Sequence, residues 1–165
     1  MPSIKTQGTE LFLVDALTSS VEAIIKLTCP TGVTGLGGAA DQIDDTCLDD
    51  LVDKSFTRGL GNPGQVTVPF VLKADSVGAI DDSHKLLFDL KDDGSNISWL
   101  LGLSDGTAQP ATIDSNDEIV PPAARSWLHF IAYVADLNID LATNEVVRGT
   151  LLLQRSGVVT PTWKA

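Results

Sequence analysis

Residues 41–72 read DQIDDTCLDDLVDKSFTRGLGNPGQVTVPFVL, and the fold turns on whether this stretch holds a phosphate or joins two strands. Gly59-Leu60-Gly61-Asn62-Pro63-Gly64 spells G-x-G-x-x-G. A dinucleotide fingerprint of that form needs a strand before it and a helix after it, so that helix N–H groups meet the pyrophosphate. After Gly64 comes Gln65-Val66-Thr67-Val68-Pro69, which alternates with the period of a strand and carries a proline. Gly35-Leu36-Gly37-Gly38-Ala39-Ala40 matches G-x-G-x-x-A and fails in the same way, because Asp41-Gln42-Ile43-Asp44 leads into a strand. Both runs read as turn glycines. The stretch is therefore expected to be two strands, Asp41–Leu48 and Gln65–Leu72, separated by a long acidic connection from Asp49 to Gly64.

The remaining chain reads outward from those strands. Val66, Val68, Phe70 and Leu72 share one face of the second strand, and Thr67, Pro69 and Val71 the other. Pro69 lacks a backbone donor, which places an edge or an irregular spot there. Upstream, Leu11–Val14 and Val21–Leu27 form a candidate hairpin. Downstream, Ile97–Leu103, Trp127–Val134 with a more polar continuation to Ala142, and Val146–Gln154 read as further strands. One helix is expected over about 82–91. Asp81 and Asp82 supply its N-terminal charge and cap, Leu86, Leu87 and Leu90 its apolar stripe, and Gly94 its stop. The fold class is mainly β: a β-sandwich or partly open barrel of about eight strands with one flanking α-helix. With 165 residues and no linker, residues 1–165 are expected to form a single domain, closed by a short tail over 156–165.

Composition removes several functions. The chain carries 22 acidic residues against 11 basic ones, a net charge of −11, so a surface that grips nucleic acid through its phosphates is excluded. Aromatic residues make up only 5%, too few for base-stacking platforms. Met1-Pro2-Ser3-Ile4-Lys5-Thr6 has no apolar run of a signal peptide, and no stretch reaches the ~20 apolar residues of a membrane span. Folding in the cytoplasm is the expectation, with no membrane partner. Cys29 and Cys47 show no pairing pattern; they allow one disulfide, and in a reducing compartment they read as two thiols.

No catalytic, cofactor or metal residues are assigned. Gly102-Leu103-Ser104-Asp105-Gly106 matches the G-x-S-x-G nucleophile elbow, but Thr107-Ala108-Gln109-Pro110 cannot start the helix that motif requires. Ser104-Asp105-Gly106 reads instead as a hairpin turn. His84 falls in the first turn of the helix and His129 in a strand. Asp41, Asp44, Asp45, Asp49, Asp50 and Asp53 are spread along an extended segment, which is surface charge and no curled oxygen cage. Two histidines and two scattered cysteines make no zinc set.

The connection from Asp49 to Gly64 is longer than ordinary strand connections and carries Leu51, Val52, Phe56 and Leu60. Exposed apolar side chains on such an excursion suggest a partner surface. Two classes of function then compete. One is a self-assembling structural subunit. The other is a small β-sandwich binding module for a receptor or carbohydrate, which calls for exposed aromatics from among Trp99, Trp127, Tyr133 and Trp163.

In order along the chain, several stretches resemble the major tail-tube proteins of long-tailed, non-contractile bacteriophages. These are Thr34-Gly35-Leu36-Gly37-Gly38 leading into Asp41–Asp49, the Gly59–Gly64 run with its strand, the helix from Ser83-His84 to Leu90, and Val147–Leu151 running on to Ser156–Thr160. The resemblance spans nearly the whole chain. It implies a tail-tube-like fold and a structural virion protein without catalysis or cofactor, assembled in the host bacterial cytoplasm and carried in the virion tail. It further implies hexameric rings stacked into a hollow tube for DNA ejection, with DNA passing unbound after the tape measure protein leaves. Tail tip and terminator proteins are implied as end partners, and no extra C-terminal decoration domain is expected. A tube subunit of a phage-like secretion machine shares this architecture and stays open as an alternative. By the resemblance, Asp49, Asp50, Leu51, Val52, Phe56, Leu60 and Asn62 contact the next ring. Asp44, Thr46, Thr67, Arg148, Thr150 and Gln154 are expected to face the lumen, because their strand partners supply the apolar face.

Overall fold

Apolar–polar alternation sets most of the elements. The computed structural model describes residues 1–18, 21–49 and 52–165. Within them the chain runs β1 (Glu10–Asp15), β2 (Ala23–Lys26), β3 (Ala40–Asp44), β4 (Phe56–Gly61), β5 (Gln65–Val71), α1 (Asp82–Asp93), β6 (Ile97–Gly102), β7 (Trp127–Asp140), β8 (Arg148–Arg155) and β9 (Thr160–Thr162). The main sheet has the order β2-β1-β6-β7-β8-β5, with β9 paired to β7. Its pairings are antiparallel throughout.

The long strand β7 joins two halves of this sheet. Residues 127–132 pair with β6, and residues 132–140 pair with β8. A register shift between Val134 and Asp136 marks a bulge, the device that lets one strand bend from one half to the other. The sheet stays open, with β2 and β5 at its ends, as the expected mainly β class requires. β3 and β4 pair with each other in a separate two-stranded sheet.

Two of the sequence boundaries shift. The strand expected over Asp41–Leu48 stops at Asp44, and the expected 49–64 loop contains β4. The reason is local: Gly59 and Gly61 interrupt the side-chain pattern of Phe56–Gly61 and hide its strand character. Gly59 packs closely there, since a Cβ would lie 3.1 Å from the Asp41 carbonyl oxygen of the paired strand. The tail also differs, because Thr160–Thr162 returns to pair with Trp127–His129 as β9.

α1 obeys its sequence signals, ending two residues beyond the expected bound. The Asp81 side chain accepts from Ser83 N at 3.0 Å, and Gly94 closes the helix with φ 72°. Its Leu86, Leu87 and Leu90 are buried against the sheet together with Phe70, Trp99 and Phe130. Each such leucine stabilises the fold by roughly 1.5–3 kcal/mol through removal from water. His84 is fully buried in the same layer, stacked on Phe70 with ring centroids 5.0 Å apart. Its Nε2 lies 2.9 Å from the Thr28 carbonyl and its Nδ1 accepts from Lys73 N at 3.4 Å. Behind β1 and β6 lies a second cluster, in which Phe12, Val14 and Leu100 pack against Ile119 and Trp127.

Pro69 occupies the position its chemistry predicts. Its carbonyl accepts from Thr31 N at 2.8 Å, on the side of β5 away from β8. A strand residue points its N and O to the same side, so the missing N–H costs no bond to β8. Thr67 N and O exchange bonds with Thr34 on that same side, at 2.9 and 3.0 Å.

Candidate functional site

The first candidate surface is the β3–β4 hairpin, which projects as an arm. Phe56, Arg58 and Leu60 alternate onto one face of β4, opposite Asp44 and Gln42. Beyond the strands the arm keeps its own polar network. Asp45 N donates to the Ser55 carbonyl at 3.1 Å, and Thr57 Oγ1 donates to Asp45 Oδ2 at 2.6 Å. Thr46 Oγ1 donates to Asp44 Oδ1 at 2.6 Å and accepts from Ser55 N at 3.0 Å. These hydrogen bonds hold the Asp44 and Asp45 carboxyls below the usual carboxylate range. Meanwhile the apolar side chains stand in water: Leu60 is 86% exposed, Val52 89% and Phe56 53%. An arm ordered by polar contacts and presenting apolar ones is a surface built for a partner.

At its base the arm passes through a tight neck. Asn62 N donates to the Ala39 carbonyl at 2.9 Å, and Gly64 N to Asn62 Oδ1 at 3.2 Å. The end of β8 meets this neck. Gln154 Nε2 donates to the Gly64 carbonyl at 3.0 Å, and Arg155 Nη2 donates to the carbonyls of Gly37 and Pro63.

The second candidate surface is the face of β5, β8 and β7 turned away from α1. Thr67, Thr150 and Gln154 are half-buried there and Arg148 is exposed. Thr150 lies opposite Pro69 on one side and Asn138 on the other, while Arg148 lies opposite Val71 and Asp140. The same strands send Val66, Val68, Leu151 and Leu153 into the core. Of the six residues expected on one wall, these four share a face. Asp44 and Thr46 belong to the arm, because β3 leaves the main sheet and among the described residues pairs with β4 alone. Of the expected ring-contact residues, Asp49, Val52, Phe56 and Leu60 lie on the arm and are exposed, and Asn62 sits in the neck. Asp50 and Leu51 lie outside the described residues.

Two buried arginines escaped the sequence reading. Arg155 continues the inward alternation of Gly149, Leu151 and Leu153, a signal that marks it as buried. Arg125 has no such pattern. It is fully buried, and its Nη1 donates to Glu10 Oε2 at 2.6 Å. Its Nη2 donates to the carbonyls of Gly8 at 2.7 Å and Gly102 at 3.0 Å, and its Nε to Leu103 at 2.5 Å. The guanidinium also lies 5.0 Å from the Trp127 ring centre. Burial pushes the Glu10 carboxyl upward, yet hydrogen bonds from Arg125, Lys26 and Gln109 prevail and lower its pKa to about 2.

The enzyme-like motifs have structural uses. Gly64, with φ 69°, turns the chain directly into β5, so no helix N-terminus faces the G-x-G-x-x-G run. The Ser104 hydroxyl donates to the Lys5 carbonyl, and Asp105 Oδ1 accepts from Ser126 N at 3.0 Å. His129 Nε2 pairs with Ser98 Oγ at 2.7 Å, and burial lowers its pKa against the pull of Glu118 and Asp114. Trp99 and Trp127 are core residues, which removes half of the aromatics a binding module would present.

The family described as phage tail tube, TTP, lambda-like, matches residues 2–165 of the chain. "Structural protein 3" of Pseudomonas phage PAJU2 is 34% identical over 157 residues, covering 93% of this chain and 90% of that protein. Among solved structures, the SPP1 tail tube aligns over 98% of this chain and 81% of its own, with TM-score 0.61 and 13% identity. The anti-feeding prophage tube-terminating cap aligns over 99% and 93%, with TM-score 0.63 and 13% identity. The native gene transfer agent virion chain aligns over 97% and 99%, with TM-score 0.63 and 12% identity. An open antiparallel sheet with one flanking helix, a projecting hairpin and a full-length family match together identify this chain as a structural protein of the lambda-like phage tail tube family.

Proposed function

We propose that this chain is the repeating subunit of the tube, closing into hexameric rings that stack along one axis. The arm reaches the adjacent ring, and the face bearing Thr67, Arg148, Thr150 and Gln154 lines the lumen through which DNA passes. The observation that carries this reading is the arm's exposed apolar face, Phe56 and Leu60 with Val52 beyond it. A lone subunit gains nothing by holding these groups in water, whereas ring stacking removes them from it. The lumen assignment is supported by the polarity of a sheet face whose opposite side is core. A net charge of −11 lets a polyanion slide without adhering. The free edge at β2 is the natural joint within a ring, because closing a ring pairs an edge that otherwise invites aggregation, whereas the outer side of β5 is already bonded to residues 29–34.

In this reading the subunit works without catalysis or cofactor. Its partners are its own copies, a tape measure protein occupying the lumen before DNA, and tip and terminator proteins at the tube ends. Assembly takes place in the host cytoplasm. The test is the double variant Phe56→Asp, Leu60→Asp, assayed by sedimentation velocity and negative-stain microscopy. The subunit is expected to stay folded and to lose stacking. Tubes of ordinary length from this variant would show that the arm is no axial joint.

A further inference from the structure

The two glycine runs that resemble nucleotide motifs meet each other in space, and Arg155 lies between them. Gly35–Gly38 forms the outgoing side of the neck and Asn62–Gly64 the returning side. At Gly35 and Gly38 the chain lies so close to the returning side that a Cβ is excluded. A Cβ on Gly38 would lie 2.7 Å from the Asn62 carbonyl oxygen, and one on Gly35 would lie 2.0 Å from the Gln65 carbonyl oxygen. Gly35 also has φ 87°, a left-handed conformation that glycine adopts without strain.

β8 grips this neck from both of its faces. Arg155, on the core face, donates through Nη2 to Gly37 and Pro63, one carbonyl on each side of the neck. Gln154, on the opposite face, donates to Gly64 at 3.0 Å, and Arg155 N donates to the same carbonyl at 3.3 Å. Packing alone does not account for Arg155. The residue is 4% exposed, and its Nε is buried with no hydrogen-bond partner among the described residues. An aliphatic residue at the end of the Leu151, Leu153 series would fill the space without that cost. What the guanidinium adds is a simultaneous hold on both sides of the neck.

Resting on the reading of the arm as the axial joint, we infer that Arg155 is a positioning residue that sets the arm's angle to the sheet by clamping the glycine neck. The arm is a hairpin joined to the body through glycine-rich segments, so without the guanidinium only the bonds to the Gly64 carbonyl restrain its angle, which widens while its internal pairing survives. The joint between rings then depends on a residue that touches no neighbouring ring.

The arm carries a natural reporter, because Cys47 is exposed on it. The full-length subunit is kept dilute and spin-labelled at Cys47 and at Asp89→Cys on the exposed side of α1. Cys29 is replaced by Asn, which tolerates its φ of 52°. Pulsed electron–electron double resonance then reads the arm-to-body distance distribution. In Arg155→Gln the distribution is expected to broaden about two-fold, since only the hinge is released, with the near-ultraviolet circular dichroism of Trp99 and Trp127 unchanged. Arg155→Lys, which keeps a donor, should fall between. If Arg155→Gln does not fold, Arg155→Met decides, because it keeps the aliphatic volume and removes every side-chain donor to the neck. An unchanged distribution in the folded Gln variant, or in Arg155→Met when that variant must decide, overturns the clamp. A broadened distribution in a variant that still builds normal tubes leaves the clamp standing and refutes the arm as the axial joint. The two claims therefore fail separately.

Discussion

Replacing Glu10 by Gln removes the charge that answers Arg125 at the back of β1. The Glu10 side chain is 18% exposed and holds both Lys26 and Arg125, and its pKa falls from an ordinary 4.5 to about 2. At about 1.4 kcal/mol per unit, that difference corresponds to roughly 3 kcal/mol of folding stability, reduced to about 2–3 by residual solvent screening. Because the folded-state pKa lies below the ordinary one, the contribution is complete above pH 4.5 and is lost as pH falls through the folded value. In urea unfolding monitored by Trp99 and Trp127 fluorescence, Glu10→Gln should be about 2–3 kcal/mol less stable at pH 7. For a chain of this size that is roughly 5–10 °C in Tm. The gap to the parent should narrow steadily between pH 4.5 and 2. A gap that stays constant across this range would assign the loss to packing, and no gap at pH 7 would refute the account of the Glu10–Arg125 ion pair.

Two further outcomes concern the sheet and the arm. Gly149→Ala places a Cβ 2.3 Å from Phe70 Cζ, so thermal unfolding should show a loss of about 1–3 kcal/mol from overpacking. Gly149→Ala combined with Phe70→Leu should recover part of that loss, and a neutral single variant would contradict the packing. Phe56→Asp with Leu60→Asp touches exposed positions but sets a carboxylate across from Asp44, so its stability should fall by no more than about 1 kcal/mol while its tubes disappear from micrographs.

Much of this fold was legible in the sequence, for identifiable physical reasons. β5 and β8 show strict alternation because one face is core and the other is not, and Thr67, Thr150 and Gln154 could be placed on a common face from period alone. α1 was marked by Asp81, its leucine stripe and Gly94. β4 was hidden because Gly59 and Gly61 remove side chains that would signal a strand, and only Gly59 lies close to the paired strand. The grouping of Asp44 and Thr46 with the wall failed for a different reason. Alternation within a strand says which face a residue takes but not which sheet the strand joins. Arg125 was beyond reach, since its acceptors are carbonyls of residues 8, 102, 103 and 108 that only the fold brings together. Arg155 was within reach, as the last inward position of an alternating strand.

The G-x-G-x-x-G match also shows how a motif's context carries its meaning. Of its three glycines, Gly59 packs close to the paired strand at Asp41, a Cβ on Gly61 would meet nothing within 4 Å, and Gly64 makes the positive-φ turn into β5. The letters therefore arise from one strand contact and one turn.

Cryo-electron microscopy of assembled protein tests the central claim most directly. The account predicts stacked sixfold rings in which Phe56 and Leu60 are buried against the adjacent ring and Thr67, Thr150 and Gln154 line an open channel. Rings whose arms point into solvent, or a β5–β8 face packed between two sheets, would contradict it.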